Sequence, residues 1–213
     1  MLVSHRYKFI YLKPRKVAGT SVESFLERYC VSPELESTYK INEDTDFKSD
    51  EYGIIGGRMK GKGSTKWLNH KSVPEMKRDL PSNIWNEYTK ICNIRNPYDM
   101  TVSWFHYNRP GNVVNKENFK NFILKTNNLT TLRFNKNIWS DNGKFNFEYI
   151  KFENIEEDLD NIMTKLNLPK YNFDLPKYKI SRRGEWPQYY DTRSKEIVTS
   201  MFEDEINFFN YKF

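Results

Sequence analysis

Short apolar runs alternate along the chain with stretches whose apolar residues have helical spacing. Residues 8–12 are rich in β-forming side chains, and the apolar residues after the next loop lie on one helical face, namely Val22, Phe25, Leu26 and Tyr29. This order predicts a strand, a short basic loop and a helix. Further strands are predicted at residues 52–55, 89–95 and 147–152.

Helix signals separate these strands. Ser72 precedes Pro74 and Glu75, a pattern typical of a helix start. Helices are also predicted from residue 98 or 99 to about 107, over 117–125 and over 155–166. One C-terminal helix is predicted from the shared face of Ile197, Val198, Met201, Phe202, Ile206 and Phe209. Residues 36–51 form a polar surface excursion, and residues 127–146 have no clear pattern.

Strands that alternate with helices indicate the α/β class. We expect a mostly parallel central sheet that is flanked by helices on both faces. The length of 213 residues fits one ordinary domain, and the sequence has no internal repeat or linker. The prediction is a single domain over residues 1–213.

Composition narrows the classes of ligand and cofactor. The chain has 34 Lys and Arg against 28 Asp and Glu, a formal net charge of +6. This excess suits an anionic ligand, a nucleic acid or an acidic glycan, and it is also compatible with a solvated surface. The two cysteines and three histidines are far apart, so no zinc pattern or disulfide framework is expected. A bridge between Cys30 and Cys92 stays open, although two buried thiols are favoured.

The N-terminal residues are too polar for a signal peptide, and no apolar run has membrane-spanning length. The expectation is therefore a soluble, cytoplasmic protein without a membrane partner.

The basic loop after the first predicted strand carries candidate chemistry. Lys16 supplies a cation, Gly19 allows close backbone approach or a positive φ, and Thr20 and Ser21 add hydroxyl donors. A loop between a strand and a helix N-terminus holds anions well, because its N–H groups converge there. The same residues are also compatible with a glycine loop and an ordinary helix cap.

The sequence Lys16-Val17-Ala18-Gly19-Thr20-Ser21 resembles the 5′-phosphosulfate loop of sulfotransferases, especially the carbohydrate sulfotransferases. Arg15 stands where that family usually has proline. The resemblance implies a P-loop-NTPase-like fold. It also implies that 3′-phosphoadenosine 5′-phosphosulfate (PAPS) is the donor, that the doubly phosphorylated adenosine PAP is the product, and that no metal is used. Residues 15–21 would bind the donor, and Lys16 would stabilise the leaving phosphate.

A second motif strengthens this interpretation. Arg95 ends a predicted strand and Ser103 follows eight residues later, as in the family's 3′-phosphate motif. A guanidinium and a hydroxyl that converge on one phosphate are suitable chemistry. Arg182, Arg183 and Gly184 form a basic turn similar to one that grips the 3′-phosphate in cytosolic sulfotransferases, although a solvated loop fits them nearly as well.

Histidine is the candidate general base for the acceptor proton. His70 lies in Asn69-His70-Lys71-Ser72, which resembles a segment of bacterial and viral sulfotransferases. An imidazole suits proton transfer near neutral pH. His106, on the helix after the phosphate motif, is the weaker candidate.

Several alternatives stay open at this point. Residues 56–62 nearly match the phosphate loop of kinases and NTPases, but Gly63 stands where a Mg²⁺-binding Ser or Thr is needed. A non-catalytic nucleotide-binding relative also fits. Single-stranded nucleic acid is disfavoured, because the aromatic residues have core-like spacing. We expect the acceptor to be a small molecule or a glycan.

Overall fold

The computed structural model describes residues 1–58, 67, 69–108, 115–144, 146–171, 175–176, 178 and 184–213. Within these residues a sheet of six strands has the order β3-β4-β1-β2-β5-β6. The strands are β1 (Leu2–Ser4), β2 (Phe9–Leu12), β3 (Lys48–Ser49), β4 (Gly53–Ile55), β5 (Thr89–Ile94) and β6 (Glu148–Lys151).

The sheet is mixed. Strands β2, β5 and β6 are parallel, with Phe9 opposite Thr89 and Ile91 opposite Glu148. Strands β1, β4 and β3 extend the sheet in antiparallel fashion. The α/β class is confirmed, and the mostly parallel arrangement applies to the half made of β2, β5 and β6. Sequence patterns gave no sign of β1, because a three-residue strand is too short to show a period.

Helices flank the sheet. In chain order they are α1 (Gly19–Leu26), α2 (Pro33–Glu36), α3 (Val73–Asp79), α4 (Ser82–Glu87), α5 (Pro97–Asn108), α6 (Lys116–Leu124), α7 (Thr130–Arg133), α8 (Lys136–Trp139), α9 (Ile155–Lys165), α10 (Thr192–Met201) and α11 (Glu203–Phe209). Ser72 and Glu75 form the capping box at the start of α3, as the sequence predicts.

Two predictions about helices need correction. The expected single C-terminal helix is two, α10 and α11, because the backbone of Phe202 leaves the helical region at φ −118° and ψ 28°. Phe202 is nevertheless buried, as the predicted shared apolar face requires. The segment 127–146, which showed no pattern, contains α7 and α8, each only four residues long.

Alternate strand residues bury opposite faces of the sheet. Val3, Ile10 and Cys92 belong to a core with residues of α3, α4, α8 and α11. Leu2, Phe9, Tyr11, Ile91 and Ile150 belong to a second core with α1 and α9. A third core joins α5, α6 and α10. Helices therefore cover both faces, as expected.

Cys30 and Cys92 are free and buried, in accordance with the favoured interpretation. They lie in the cores on opposite faces of the sheet, which explains why they form no bridge. None of the helices in the described part of the chain is both long and apolar enough to cross a bilayer.

Candidate active site

A cleft of about 540 Å³ opens at the carboxyl ends of the parallel strands. Its described lining includes five cationic residues and one acidic residue, namely Lys13, Arg15, Lys16, Arg58, Arg95 and Asp44. Ala18, Gly19, Thr20, Ser21, His70 and Ser103 also line it. The structure therefore brings together the basic loop, the Arg95–Ser103 motif and His70. The carboxyl edge of parallel strands is where ligands collect in open α/β folds.

The loop between β2 and α1 has an unusual backbone. Lys16 and Ala18 both have left-handed conformations, with φ of 64° and 58°. Such conformations are uncommon outside glycine and concentrate at functional sites. Glycine is needed at position 19 for a different reason, which is the close packing of its backbone against Lys13. A Cβ added at position 19 would lie 2.8 Å from Lys13 Cγ. The carbonyl of Ala18 then accepts the first helical hydrogen bond, from Ser21 N at 3.0 Å.

Side chains behind the loop hold its carbonyl groups. Four carbonyls each have a side-chain donor: Arg15 O from Asn135 Nδ2 (3.0 Å), Lys16 O from Arg95 Nη1 (3.0 Å), Val17 O from Asn93 Nδ2 (3.3 Å) and Gly19 O from Tyr11 Oη (3.2 Å). In a trans peptide the N–H group of the next residue points the opposite way from the carbonyl. The contacts with Asn135, Asn93 and Tyr11, which are buried, thus turn negative ends of peptide dipoles away from the cleft and leave N–H groups for an anion. Lys16 O instead faces Arg95, which itself lines the cleft.

Arg95 is fixed on several sides. Its Nε and Nη2 lie 2.8 and 2.7 Å from Asp99 Oδ2, and its guanidinium stacks 3.8 Å from the centre of the Phe152 ring. Ser103 is buried one turn further along α5 and lines the same cleft. A guanidinium that is already oriented loses little side-chain entropy when it binds an anion.

Lys13 and Arg58 are paired with two carboxylates, Glu23 of α1 and Glu27 directly after it. Lys13 Nζ lies 2.7 Å from Glu23 Oε2, and Arg58 pairs with both Glu23 and Glu27. All four side chains are nearly inaccessible to solvent. Because the Lys13–Glu23 pair joins the end of β2 to α1, it fixes the two ends of the loop relative to one another.

His70 has a defined tautomer. Its Nδ1 lies 2.7 Å from Lys13 O and must donate to that carbonyl, so Nε2 is the unprotonated nitrogen. Burial, and secondly the charge of Arg15, lower the pKa of His70 to about 3. The residue is therefore neutral near physiological pH, and its backbone is left-handed with φ 64°.

Other predicted residues lie elsewhere. Val17 is buried in the third core and is not part of the described cleft lining. His106 Nε2 lies 3.0 Å from Tyr189 Oη, and His106 is not part of the cleft lining that the structure describes. Gly184 is exposed and likewise away from that lining. Arg182 and Arg183 lie outside the described residues.

Sequence reasoning missed an aromatic wall. Trp104 and Tyr107 line the cleft next to Ser103, with their ring centres 5.5 Å apart and their planes at 18°. Lys16 Nζ lies 4.6 Å from the centre of the Tyr107 ring, and Tyr107 as a residue is 63% exposed. Tyr107 is four residues after Ser103 and three after Trp104 on a predicted helix, and this spacing could have signalled the wall, because residues three or four apart are neighbours on a helix surface.

Comparison with known proteins agrees with this geometry. The family model described as "Sulfotransferase domain" matches residues 4–167. The chain belongs to the sulfotransferase domain family, which confirms the resemblance seen in the two motifs. The kinase alternative gains no support, and most of its motif lies outside the described residues.

Among solved structures, the fold is similar to that of mouse sulfotransferase SULT7A1, which was crystallised with PAP. The two chains are 15% identical, and the alignment covers 96% of this chain and 86% of the mouse chain with a TM-score of 0.47. No curated protein sequence matches the chain.

Proposed function

We propose that the protein transfers a sulfuryl group from PAPS to a hydroxyl or amine of an acceptor. The orientation of the loop carbonyls carries this proposal, because it prepares residues 15–21 for the 5′-phosphosulfate. Family membership supplies the reaction class. The alternative, a non-catalytic relative, would bind the nucleotide without turnover.

The 5′ end of the donor lies against the loop. The acceptor oxygen or nitrogen forms a bond to sulfur while the bond from sulfur to the phosphate oxygen breaks, and negative charge builds on that oxygen. Lys16, the loop N–H groups and the Thr20 and Ser21 hydroxyls stabilise this charge. Fixed donors and Lys16 supply the charge compensation in this proposal, without a metal.

The 3′-phosphate lies against Arg95 and Ser103. The fixed guanidinium supports this role, because a charge-assisted hydrogen bond gains most when its donor is already oriented. The proposal keeps Arg182 and Arg183 as further contacts to the 3′-phosphate, and it does not keep Gly184, which lies away from the described cleft lining.

His70 takes the acceptor proton at Nε2. Its low pKa keeps that nitrogen unprotonated, but a base so weak is inefficient. The anionic donor offsets the charge of Arg15, which is one cause of the low pKa. Donor binding therefore removes part of the lowering of the His70 pKa, while burial, its larger cause, remains.

The acceptor is a small molecule or a glycan. Tyr107 lies beside Lys16, so the exposed aromatic wall borders the reacting end of the donor. An acceptor with a sugar or phenol ring can pack on such a surface. The proposal includes neither a nucleic acid nor a membrane as a partner.

We include the whole of residues 1–213 in one sulfotransferase domain. Contacts beyond the matched region support this extent: Tyr190 Oη donates to Tyr98 O at 2.9 Å, and Asn96 Nδ2 donates to Lys212 O at 2.9 Å. The C-terminal segment thus packs against α5 and the end of β5.

The test is transfer of label from radiolabelled PAPS to a panel of phenols, amines and glycans. We expect transfer to at least one acceptor class, with loss of transfer in Lys16→Met and retention in the exposed control Lys125→Met. Donor binding without transfer to any acceptor would favour the non-catalytic alternative.

A further inference from the structure

Asn135 makes a two-point contact with the backbone of the loop. Its Oδ1 accepts from Arg15 N at 2.8 Å, and its Nδ2 donates to Arg15 O at 3.0 Å. The side chain is 2% exposed. One amide therefore satisfies both backbone groups of the residue that opens the loop, 120 positions away in the sequence.

Helix capping does not explain this asparagine. Asn135 is the residue before α8, where asparagine ordinarily accepts a hydrogen bond from the first helical turn. Its side chain makes no such bond to α8, all of whose residues are described. The side-chain amide forms hydrogen bonds with the backbone of Arg15 instead.

Two cores anchor Asn135. Leu132, before it, is buried in the third core together with Val17, and Ile138 and Trp139, after it, are buried in the first. A short connection between two packed cores has little freedom to move. Asn135 is thus a rigid support for a loop that carries two left-handed residues.

The identity of residue 15 makes this contact possible. Proline has no backbone N–H, so a proline at position 15 could not donate to Asn135 Oδ1. Arg15, which departs from the pattern of the resembling sulfotransferases, keeps that donor. Asn135 restrains the backbone of residue 15 through hydrogen bonds, whereas a proline at this position would restrain it through its own ring.

We propose that Asn135 is a positioning residue for the 5′-phosphosulfate loop, which acts through the backbone of Arg15. This inference rests on the proposed function. The hydrogen bonds described for the Asn135 side chain go to Arg15 and to Met100 Sδ of α5, and not to Arg95, Ser103 or the aromatic wall. Asn135 therefore acts most directly on the end of the donor that lies against the loop.

The test compares nucleotides that carry one or both phosphates. Asn135→Leu removes both hydrogen bonds to Arg15, and the contact with Met100 Sδ, with a side chain of the same branched shape. Asn135→Asp keeps the acceptor, removes the donor and adds a negative charge. Asn137→Leu, at an exposed position of α8, is the matched control. Binding of PAP, adenosine 3′-monophosphate and adenosine 5′-monophosphate is measured by calorimetry, alongside the melting temperature.

In Asn135→Leu we expect PAP and the 5′-monophosphate to bind about tenfold more weakly, as the loss of two hydrogen bonds implies. Affinity for the 3′-monophosphate should stay within about twofold of wild type, as in the control. Asn135→Asp should show the same selective loss, which keeps the test valid if the leucine variant is unstable.

Equal loss for all three nucleotides would assign Asn135 a general structural role and overturn the inference. Unchanged PAP affinity in both variants would overturn it as well. Failure of the wild-type protein to bind PAP would instead count against the proposed function, so the two claims are separable.

Discussion

Arg95 Nη1 donates a hydrogen bond to the backbone carbonyl of Lys16 at 3.0 Å. The bond joins the two halves of the cleft, because Lys16 belongs to the loop after β2 and Arg95 ends β5. The residue proposed for the 3′-phosphate thus also orients the loop proposed for the 5′-phosphosulfate.

Arg95→Lys should weaken PAP binding about tenfold to a hundredfold, because an ammonium replaces the oriented guanidinium and the bond to Lys16 O is lost. Ser103→Ala should weaken PAP binding by a smaller factor and leave adenosine 5′-monophosphate binding unchanged. Competition binding measures both effects, with the exposed Ser200→Ala as control. Undiminished preference for PAP over the 5′-monophosphate in Arg95→Lys would contradict the assignment of the 3′ site.

Gly19→Ala and Ala18→Gly should change stability in opposite directions. An alanine Cβ at position 19 meets Lys13 Cγ at 2.8 Å, and Lys13 is held by its pair with Glu23, so we expect a loss of about 1–3 kcal/mol. Glycine at position 18 relieves a left-handed alanine and should preserve or raise stability. Urea unfolding measures both. A destabilised Ala18→Gly together with an unaffected Gly19→Ala would contradict the described loop conformation.

His70→Asn should lower turnover about a hundredfold or more while PAP affinity stays near wild type. Asparagine tolerates a left-handed backbone and can still donate to Lys13 O, so the loop is preserved. His106→Asn, away from the described cleft lining, is the activity control. Near-normal turnover in His70→Asn would remove His70 as the base.

The same variant tests the protonation of His70 through stability. Its pKa is about 3 in the folded protein and near 6.5 when unfolded, so below pH 6.5 the unfolded chain takes up a proton that the folded protein does not. The stability from this difference is complete above pH 6.5 and is lost as the pH falls toward 3. His70→Asn should therefore lose less stability than wild type between pH 6.5 and 4.

Glu205→Gln should stabilise the protein at alkaline pH. Burial raises the pKa of Glu205 to about 7, so the folded protein binds a proton more readily than the unfolded chain between pH 4.5 and 7. Stability from this group therefore falls as the pH rises through that window, and the cost is complete above pH 7. We expect Glu205→Gln to melt a few degrees higher than wild type at pH 8 and to differ less at pH 5. Exposed Glu203→Gln should show no such pH-dependent difference.

The strand-loop-helix pattern and the resemblance to sulfotransferases predicted the basic loop, Arg95, Ser103 and His70 as site residues, and the structure brings them to one cleft. Sequence reasoning could not find Asn135, because the contact joins Arg15 to a segment whose two helices are too short to show periodicity. It also left the role of Gly19 open, since only the packing of Lys13 distinguishes close approach from a positive φ. Strands β1 and β3 of the antiparallel half could not be predicted for the same reason, because they are three and two residues long, whereas β4 lies within the predicted strand 52–55.

The most direct test of the central claim is the affinity of the purified protein for PAP compared with ADP, measured by calorimetry at constant ionic strength. ADP has no 3′-phosphate and cannot engage Arg95 and Ser103 in the proposed way. We predict that PAP binds at least about tenfold more tightly than ADP and that Arg95→Lys abolishes most of this difference. Absence of PAP binding, or equal affinity for the two nucleotides, would contradict the account.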